Sequence, residues 1–459
     1  MRMTGLELQN ATRGAWQKGV PETISGINTD SRKFIEGQAF LALRGPNFDG
    51  HRFAEKILSQ ASAMIGDPQG IQQWKSFETP QLQVEDTLVA LGDIANAWRN
   101  RLSQTTVIAI TGSYGKTTVR SMLTHIFNSL NRNTAATHAN LNNLIGVPTT
   151  LLGVDESTEI ALIECGISEE GEMRRLSEIV QPDVAVITGL APAHSSGLGG
   201  MKGVAREKTD LLTHLLPQGW CLLGEGVAKQ LSQHDQAISH DAIDMDSSDS
   251  DVVQWNLAGD LLTLSHNDES IQIELALPAR HWAANMALSA TIALRYFSQQ
   301  SSDAAPLFSD VVATLSNWQP VEGRMHLIAG INGATIMDDS YNANPVSMQA
   351  ALDTLAKLSG HRIAVIGDMA ELDESEHAHG SLNISDIDMV ILVGREMEAL
   401  KQHNSNAIWF ATTDEAVLWI EENRDQFSSD DHILIKASRS MQLDRIVRTL
   451  ADREGIHAL

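Results

Sequence analysis

The sequence predicts an α/β protein of three domains, and three observations carry that expectation. Its 459 residues exceed what one ordinary hydrophobic core organises. From about residue 105 to 298, strand-length apolar runs alternate with amphipathic helical patterns, as in a mostly parallel sheet with crossover helices. A second open α/β series follows a turn at Gln319–Gly323. The expected divisions are residues 1–85, 86–318 and 319–459.

Residues 1–85 hold short alternating segments broken by turn signals at Asn28–Arg32 and Gly45–Gly50, which suits a small α/β domain. In the middle region, strands are predicted at Val107–Thr111, Ile160–Glu164 and Val184–Thr188. The first helix follows from the spacing of Val119, Met122, Leu123, Ile126, Phe127 and Leu130. Val252–Leu257, Leu261–His266 and Ser270–Leu275 read as antiparallel strands at a sheet edge. Asp241–Asp251, rich in Asp and Ser, reads as a solvated loop, because it lacks the glycine and terminal glutamate of a calcium loop. Gln299–Pro306 is a polar loop. The last region offers strands at Ile363–Gly367, Met389–Gly394, Ala407–Ala411 and His432–Lys436. None of them is followed by GxGxxG, so a dinucleotide site is unsupported.

Composition removes several functions. The formal charge of −25, with no basic run, argues against nucleic acid as a partner. An anionic substrate must then be met by local cations or metal ions. Cys165 and Cys221 are the only cysteines, which suits a reducing compartment. The first residues lack the apolar core of a signal peptide, and the apolar runs are too short to span a bilayer. A cytoplasmic protein is expected.

The strongest chemical signal is Thr111-Gly112-Ser113-Tyr114-Gly115-Lys116-Thr117-Thr118, set between a buried strand and an amphipathic helix. Glycines let backbone N–H groups approach phosphates, and a helix N-terminus adds partial positive charge. Lys116 is placed to reach the terminal phosphates of a nucleotide, and the Thr117 hydroxyl to bind Mg²⁺. The strict spacing would put glycine where Ile110 stands. Glu164 ends its strand at the carboxyl edge, where open α/β sheets bind ligands, and is a natural second Mg²⁺ ligand. His194 follows the next strand and belongs to the same edge. Lys208, read from its neighbours alone, is a surface lysine.

Together these blocks resemble the Mur ligase family. The resemblance rests on the phosphate loop, Asn140-Leu141-Asn142-Asn143 with Gly146-Val147-Pro148, Glu164-Cys165-Gly166, Ala193-His194, Ala205–Lys208 and Gly323-Arg324. Asp338–Pro345 and Gly367–Leu372 narrow it to members that add D-alanyl-D-alanine to a UDP-muramyl tripeptide for peptidoglycan synthesis. Asp30-Ser31-Arg32, Phe40–Gly45 and Asp49-Gly50-His51 resemble their UDP-sugar domain. The resemblance implies a UDP-substrate domain, a central P-loop ATPase and a Rossmann-like C-terminal domain, in a monomer that acts on small molecules without membrane insertion. It implies an ATP-dependent ligase that forms an acyl phosphate and releases ADP and phosphate.

Residue by residue, it implies nucleotide contacts from Gly112, Ser113, Gly115, Lys116, Thr117, Thr118, Asn285, Arg324, Asp339 and Asn342. Thr117 and Glu164 would hold one Mg²⁺, and His194 with a carbamate on Lys208 a second; Lys116, His194 and Lys208 form the catalytic set. Ser31, Arg32, Asn140, Asn142, Asn143, Asn344, Lys436, Ser438 and Arg439 would meet the other substrates. A divergent family member joining another carboxylate and amine is the alternative. The chain departs from the family pattern at Ser168, Gly189 and Trp282, each in place of asparagine, and at Ala139, Ala279 and Ala437, each in place of glycine.

Overall fold

The computed structural model describes residues 1–192, 195–238, 240–300, 306–370, 372, 375–404 and 407–452. The N-terminal sheet has the order β1 (Ala15–Gln17), β7 (Gln81–Gln83), β6 (Ala63–Gly66), β3 (Ala39–Leu41), β2 (Ile27–Asn28), with only the β1–β7 pair antiparallel. Strands β3 and β6 are buried along their whole length, so they read as apolar runs rather than alternations. A two-residue hairpin, β4 (Arg44–Gly45) and β5 (Phe48–Asp49), projects from β3.

The helix Thr87–Arg99 links this domain to the next. Asp86 starts it by accepting N–H bonds from Leu88 and Val89. Its apolar residues, Leu91, Ile94, Ala95 and Trp98, lie in one continuous core with Leu8 and Ile24 on one side and Val107, Leu151 and Leu176 on the other. Arg99, buried, ties its end to the carbonyls of Val180 and Gln181 and to Asp183.

The central sheet is six-stranded and parallel throughout, in the order β13 (Asp241–Asp244), β12 (Trp220–Leu223), β11 (Val184–Ile187), β8 (Thr106–Thr111), β10 (Ile160–Glu164), β9 (Thr134–Ala136). Strand order reverses at β8, so the carboxyl ends of β8, β10 and β11 border the crevice where such sheets bind ligands. Strand β13 corrects the reading of Asp241–Asp251 as loop over its first four residues, while the rest of that stretch is turn and irregular backbone. Only Ile243 is buried in it, and an edge strand held through its backbone needs no apolar pattern. The antiparallel strands β14 (Gln254–Ala258), β15 (Leu261–His266) and β16 (Glu269–Glu274) form a separate sheet instead of extending the parallel one. Their apolar face, with Leu262, Leu264 and Ile273, packs on the helices Arg280–Ser298 and Phe308–Leu315.

The C-terminal sheet has the order β17 (His326–Ala329), β18 (Thr335–Asp339), β22 (Asp431–Lys436), β19 (His361–Gly367), β20 (Met389–Val393), β21 (Ile408–Phe410), parallel except for β17. Asp339 and Lys436 end the neighbouring strands β18 and β22, and that edge faces the central domain. No described helix is long and apolar enough to cross a membrane.

Candidate active site

The phosphate loop leaves β8 and enters the helix Lys116–Ser129 through two glycines with positive φ. A Cβ on Gly112 (φ +149°) would lie 2.1 Å from the Thr188 hydroxyl, and Gly115 (φ +82°) is the N-cap. No side chain caps this helix, so its first N–H groups are free of side-chain acceptors and can meet an anion. The loop is tied to the segment after β11: Ser113 donates its N–H to Gly189 O at 2.8 Å and its hydroxyl to Ala191 O at 2.9 Å. Lys116 Nζ donates to Gly112 O at 2.6 Å. Burial lowers the Lys116 pKa, against the opposing pull of Glu164.

Glu164 is buried at the end of β10. It accepts from the Thr117 hydroxyl at 3.1 and 3.3 Å and from Asn142 Nδ2 at 3.0 Å, and Arg120 Nε lies 3.3 Å away. A hydroxyl and a carboxylate in contact are a partial set of hard oxygen donors. Among the described residues no three acidic, histidine or cysteine side chains form a cage. That arrangement fits Mg²⁺, which keeps several waters and takes its remaining ligands from bound phosphates. Arg120 escaped the sequence reading, although it stands four residues after Lys116 and therefore on the same helix face. Cys165, beside Glu164, is an inert thiol pushed up to about 12 by burial.

Lys208 corrects the sequence reading most sharply: it is 4% exposed. Its helix, Gly200–Thr209, buries Val204, Ala205, Glu207 and Lys208, and Val204 lies one turn before the lysine on the same face. Burial first, then the Lys116 charge, brings the ammonium pKa down to about 7. Glu207 holds the helix in place by accepting from Gly171 N–H at 2.9 Å. His194 lies outside the described residues.

The central and C-terminal domains enclose a cavity of about 370 Å³ beside the loop. Ser113, Gly115, Thr118, Asn285, Arg324, Asp339, Asn342, Asn344 and Lys436 all line it. Lys436 Nζ bonds Asp339 at 2.6 Å and Asn342 O at 2.9 Å in a buried pair. Asn344 caps the helix Pro345–Leu355 by accepting from Ser347 N–H at 2.9 Å, while its Nδ2 donates to Ser113 O at 3.2 Å across the cleft. The Arg324 guanidinium stacks 4.3 Å from the Tyr341 ring centroid. His281, also in this wall and not foreseen, is pulled down to about 4 by burial and is neutral at pH 7.

Three departures from the family pattern can be placed in the fold. A side chain at Gly189 would put its Cβ 2.3 Å from the Tyr114 ring, which lies over it. Ala139 adopts φ +49°, a conformation that glycine takes without strain. Trp282 packs edge-on against Trp318, with centroids 5.7 Å apart.

Other expected residues have roles away from the cavity walls. Asn143 accepts from the N–H groups of Ile145 and Gly146, and Asn140 is exposed. Ser438 accepts from Ala370 N–H, and Arg439 is exposed beside Asp444. Ser31 and Arg32 form a surface turn in the N-terminal domain, where Asp30 takes both Arg32 Nε and Nη2.

Three family models match the chain: "Mur ligase family, catalytic domain" over residues 23–99, "Mur ligase middle domain" over 110–293, and "Mur ligase, glutamate ligase domain" over 323–439. The UDP-N-acetylmuramoyl-tripeptide–D-alanyl-D-alanine ligase of Escherichia coli K12 is 32% identical over 452 residues, covering 95% of each chain. Its Bacillus subtilis counterpart is 32% identical over 449 residues, covering 94% of this chain and 93% of its own. A crystal structure of MurF from Acinetobacter baumannii superposes with a TM-score of 0.85 at 31% identity, covering 98% of each chain.

Proposed function

The chain belongs to the Mur ligase family, and from that premise we propose that it joins D-alanyl-D-alanine to the carboxylate of a UDP-N-acetylmuramoyl tripeptide in cytoplasmic peptidoglycan precursor synthesis. The observation that carries this reading is the group of cations at the carboxyl edge of a parallel sheet. Lys116 and Arg120 both act with Glu164 and Arg324 there, and Lys208 acts with Lys116, in a chain of net charge −25. Such a site gathers anions that repel one another in water.

A carboxylate is a poor acyl donor because its oxygen leaves badly. Phosphorylation by ATP makes an acyl phosphate, the amine of D-alanyl-D-alanine adds to it, and phosphate departs as ADP is released. Lys116 and the uncapped N–H groups of its helix bind the terminal phosphates and stabilise charge on the transferring group. Thr117 and Glu164 hold Mg²⁺, which supplies charge neutralisation when bound. Lys208, with an amine about half free at pH 7, would take up CO₂ as a carbamate with release of a proton, and with His194 would offer oxygen and nitrogen donors for a second Mg²⁺. Asn285, Arg324, Asp339 and Asn342 orient the nucleotide, and Asn142, Asn344 and Lys436 orient the acyl substrate and amine. Ser31 and Arg32 bind the uridine end. In this assignment residues 1–85 bind the UDP substrate, 86–318 bind ATP, and 319–459 close over both.

The test is phosphate release from the purified protein. With ATP alone it stays near background, and it rises only when the tripeptide nucleotide and D-alanyl-D-alanine are both present. Rapid hydrolysis independent of both substrates overturns the ligase assignment.

A further inference from the structure

Arg120 occupies an unusual position. It lies one helical turn beyond Lys116, its side chain is 12% exposed, and its Nε sits 3.3 Å from Glu164 Oε2. That N–H is buried and points at no hydrogen-bond acceptor, so the contact is an ion pair without a directed bond. The partner is the same carboxylate that the Thr117 hydroxyl contacts. After Glu164, the next charged group to act on Arg120 is Arg324, which repels it.

A carboxylate oxygen facing a guanidinium cannot take a divalent cation on the same side without bringing two positive charges together. Metal entry at Glu164 therefore displaces Arg120. Once displaced, Arg120 is left without its partner, because Glu164 is taken, and the anion that arrives with the metal is the terminal phosphate of the nucleotide. We propose that Arg120 holds the metal's place on Glu164 in the empty enzyme and transfers to the nucleotide's terminal phosphate when metal and nucleotide bind together. This rests on the reading that Thr117 and Glu164 hold the metal.

The consequence is a coupling. Metal alone must break the Arg120–Glu164 pair, and the displaced guanidinium gains no new partner. Metal with nucleotide breaks it and gives Arg120 a new partner. Each ligand therefore tightens the other, and by linkage the factor is the same in both directions. A buried arginine that only packs against Glu164 would stabilise the fold without adding to the interdependence that shared phosphate ligands already give metal and nucleotide.

The experiment is Mn²⁺ binding to the full-length protein, followed by the electron paramagnetic resonance signal of free Mn²⁺, with and without the non-hydrolysable analogue AMP-PNP, after subtracting the Mn²⁺ that AMP-PNP takes up without protein. Arg120→Met is expected to bind Mn²⁺ about tenfold more tightly than the wild type without nucleotide, and the enhancement given by AMP-PNP should shrink by a similar factor. Arg120→Gln, which keeps polarity and length, should behave the same way and stands in should the methionine variant fold poorly. Arg120→Lys, which keeps the charge, should retain most of the coupling. If neither neutral variant binds Mn²⁺ more tightly than the wild type without nucleotide, the proposal is wrong. Glu164→Gln separates this failure from failure of the metal assignment, because it should weaken Mn²⁺ binding with AMP-PNP present. If it does not, Glu164 is not a ligand and both readings fall.

Discussion

Replacing Lys208 by methionine should make the protein more stable and inactive at once. An ammonium whose pKa falls from 10.5 to about 7 on folding is a liability at neutral pH. Between those two values the unfolded chain binds more protons than the native one, so stability rises with pH across that window. The penalty is full below pH 7 and has almost vanished by pH 10.5. With 1.36 kcal/mol for each pH unit, it is about 4 kcal/mol at pH 7 and about 2 kcal/mol at pH 9. Methionine fills a similar volume without a charge, so Lys208→Met should remove the penalty. Local repacking will reduce the gain, leaving roughly 2–4 kcal/mol at pH 7, or on the order of 5–10 °C in the midpoint of the central domain. Calorimetry at pH 7 and pH 9 in CO₂-free buffer measures the gain and its decline with pH. Ligation should be lost in the same variant, because the carbamate cannot form. A methionine variant less stable than wild type at pH 7, or a gap that does not narrow by pH 9, would show that the folded protein already pairs this ammonium.

Three further outcomes are expected. Arg32→Ala should raise KM for the UDP substrate, leave KM for ATP unchanged, and leave the melting temperature nearly unmoved, because the side chain is 85% exposed; equal effects on both substrates would count against a uridine role. Gly189→Asn should weaken binding of an ATP analogue, because the new Cβ collides with the Tyr114 ring, and adding Tyr114→Ser should restore it; a double variant no better than the single one refutes the coupling. Asp339→Ala should strand the buried Lys436 ammonium and cost about 3–5 kcal/mol in C-terminal domain stability, whereas Asp339→Leu with Lys436→Met should recover most of the loss in a urea titration.

Sequence made visible what depends on backbone chemistry and hid what depends on tertiary surroundings. The loop Gly112–Thr118 could be read because close backbone approach to phosphate demands glycine, and β8, β10 and β11 because strands buried on both faces must be apolar throughout. Strand β13 could not, since one buried isoleucine among aspartates carries no periodicity. Lys208 read as a surface residue because nothing local marks a lysine whose burial comes from packing around its helix. Arg120 and His281 were missed for a related reason. Each lies on a recognisable helix, but what they face, Glu164 and the interdomain cavity, comes from distant parts of the chain. Ser438 and Arg439 show the converse, since a matching motif does not by itself bring every member to the cavity wall.

The helix Thr87–Arg99 has a consequence for modularity. Its residues belong to the interior of two domains at once, so no cut between them leaves both halves with a closed surface. A chimera that imports a foreign N-terminal domain must take this helix from one parent and then re-match its far side to the other. The same helix, about 20 Å long, acts as a fixed spacer between the turn that carries Ser31 and Arg32 and the sheet that carries the phosphate loop. Selection for a longer or shorter substrate would have to work on the loops at either end of that spacer, since its own length is set by the packing of both neighbours.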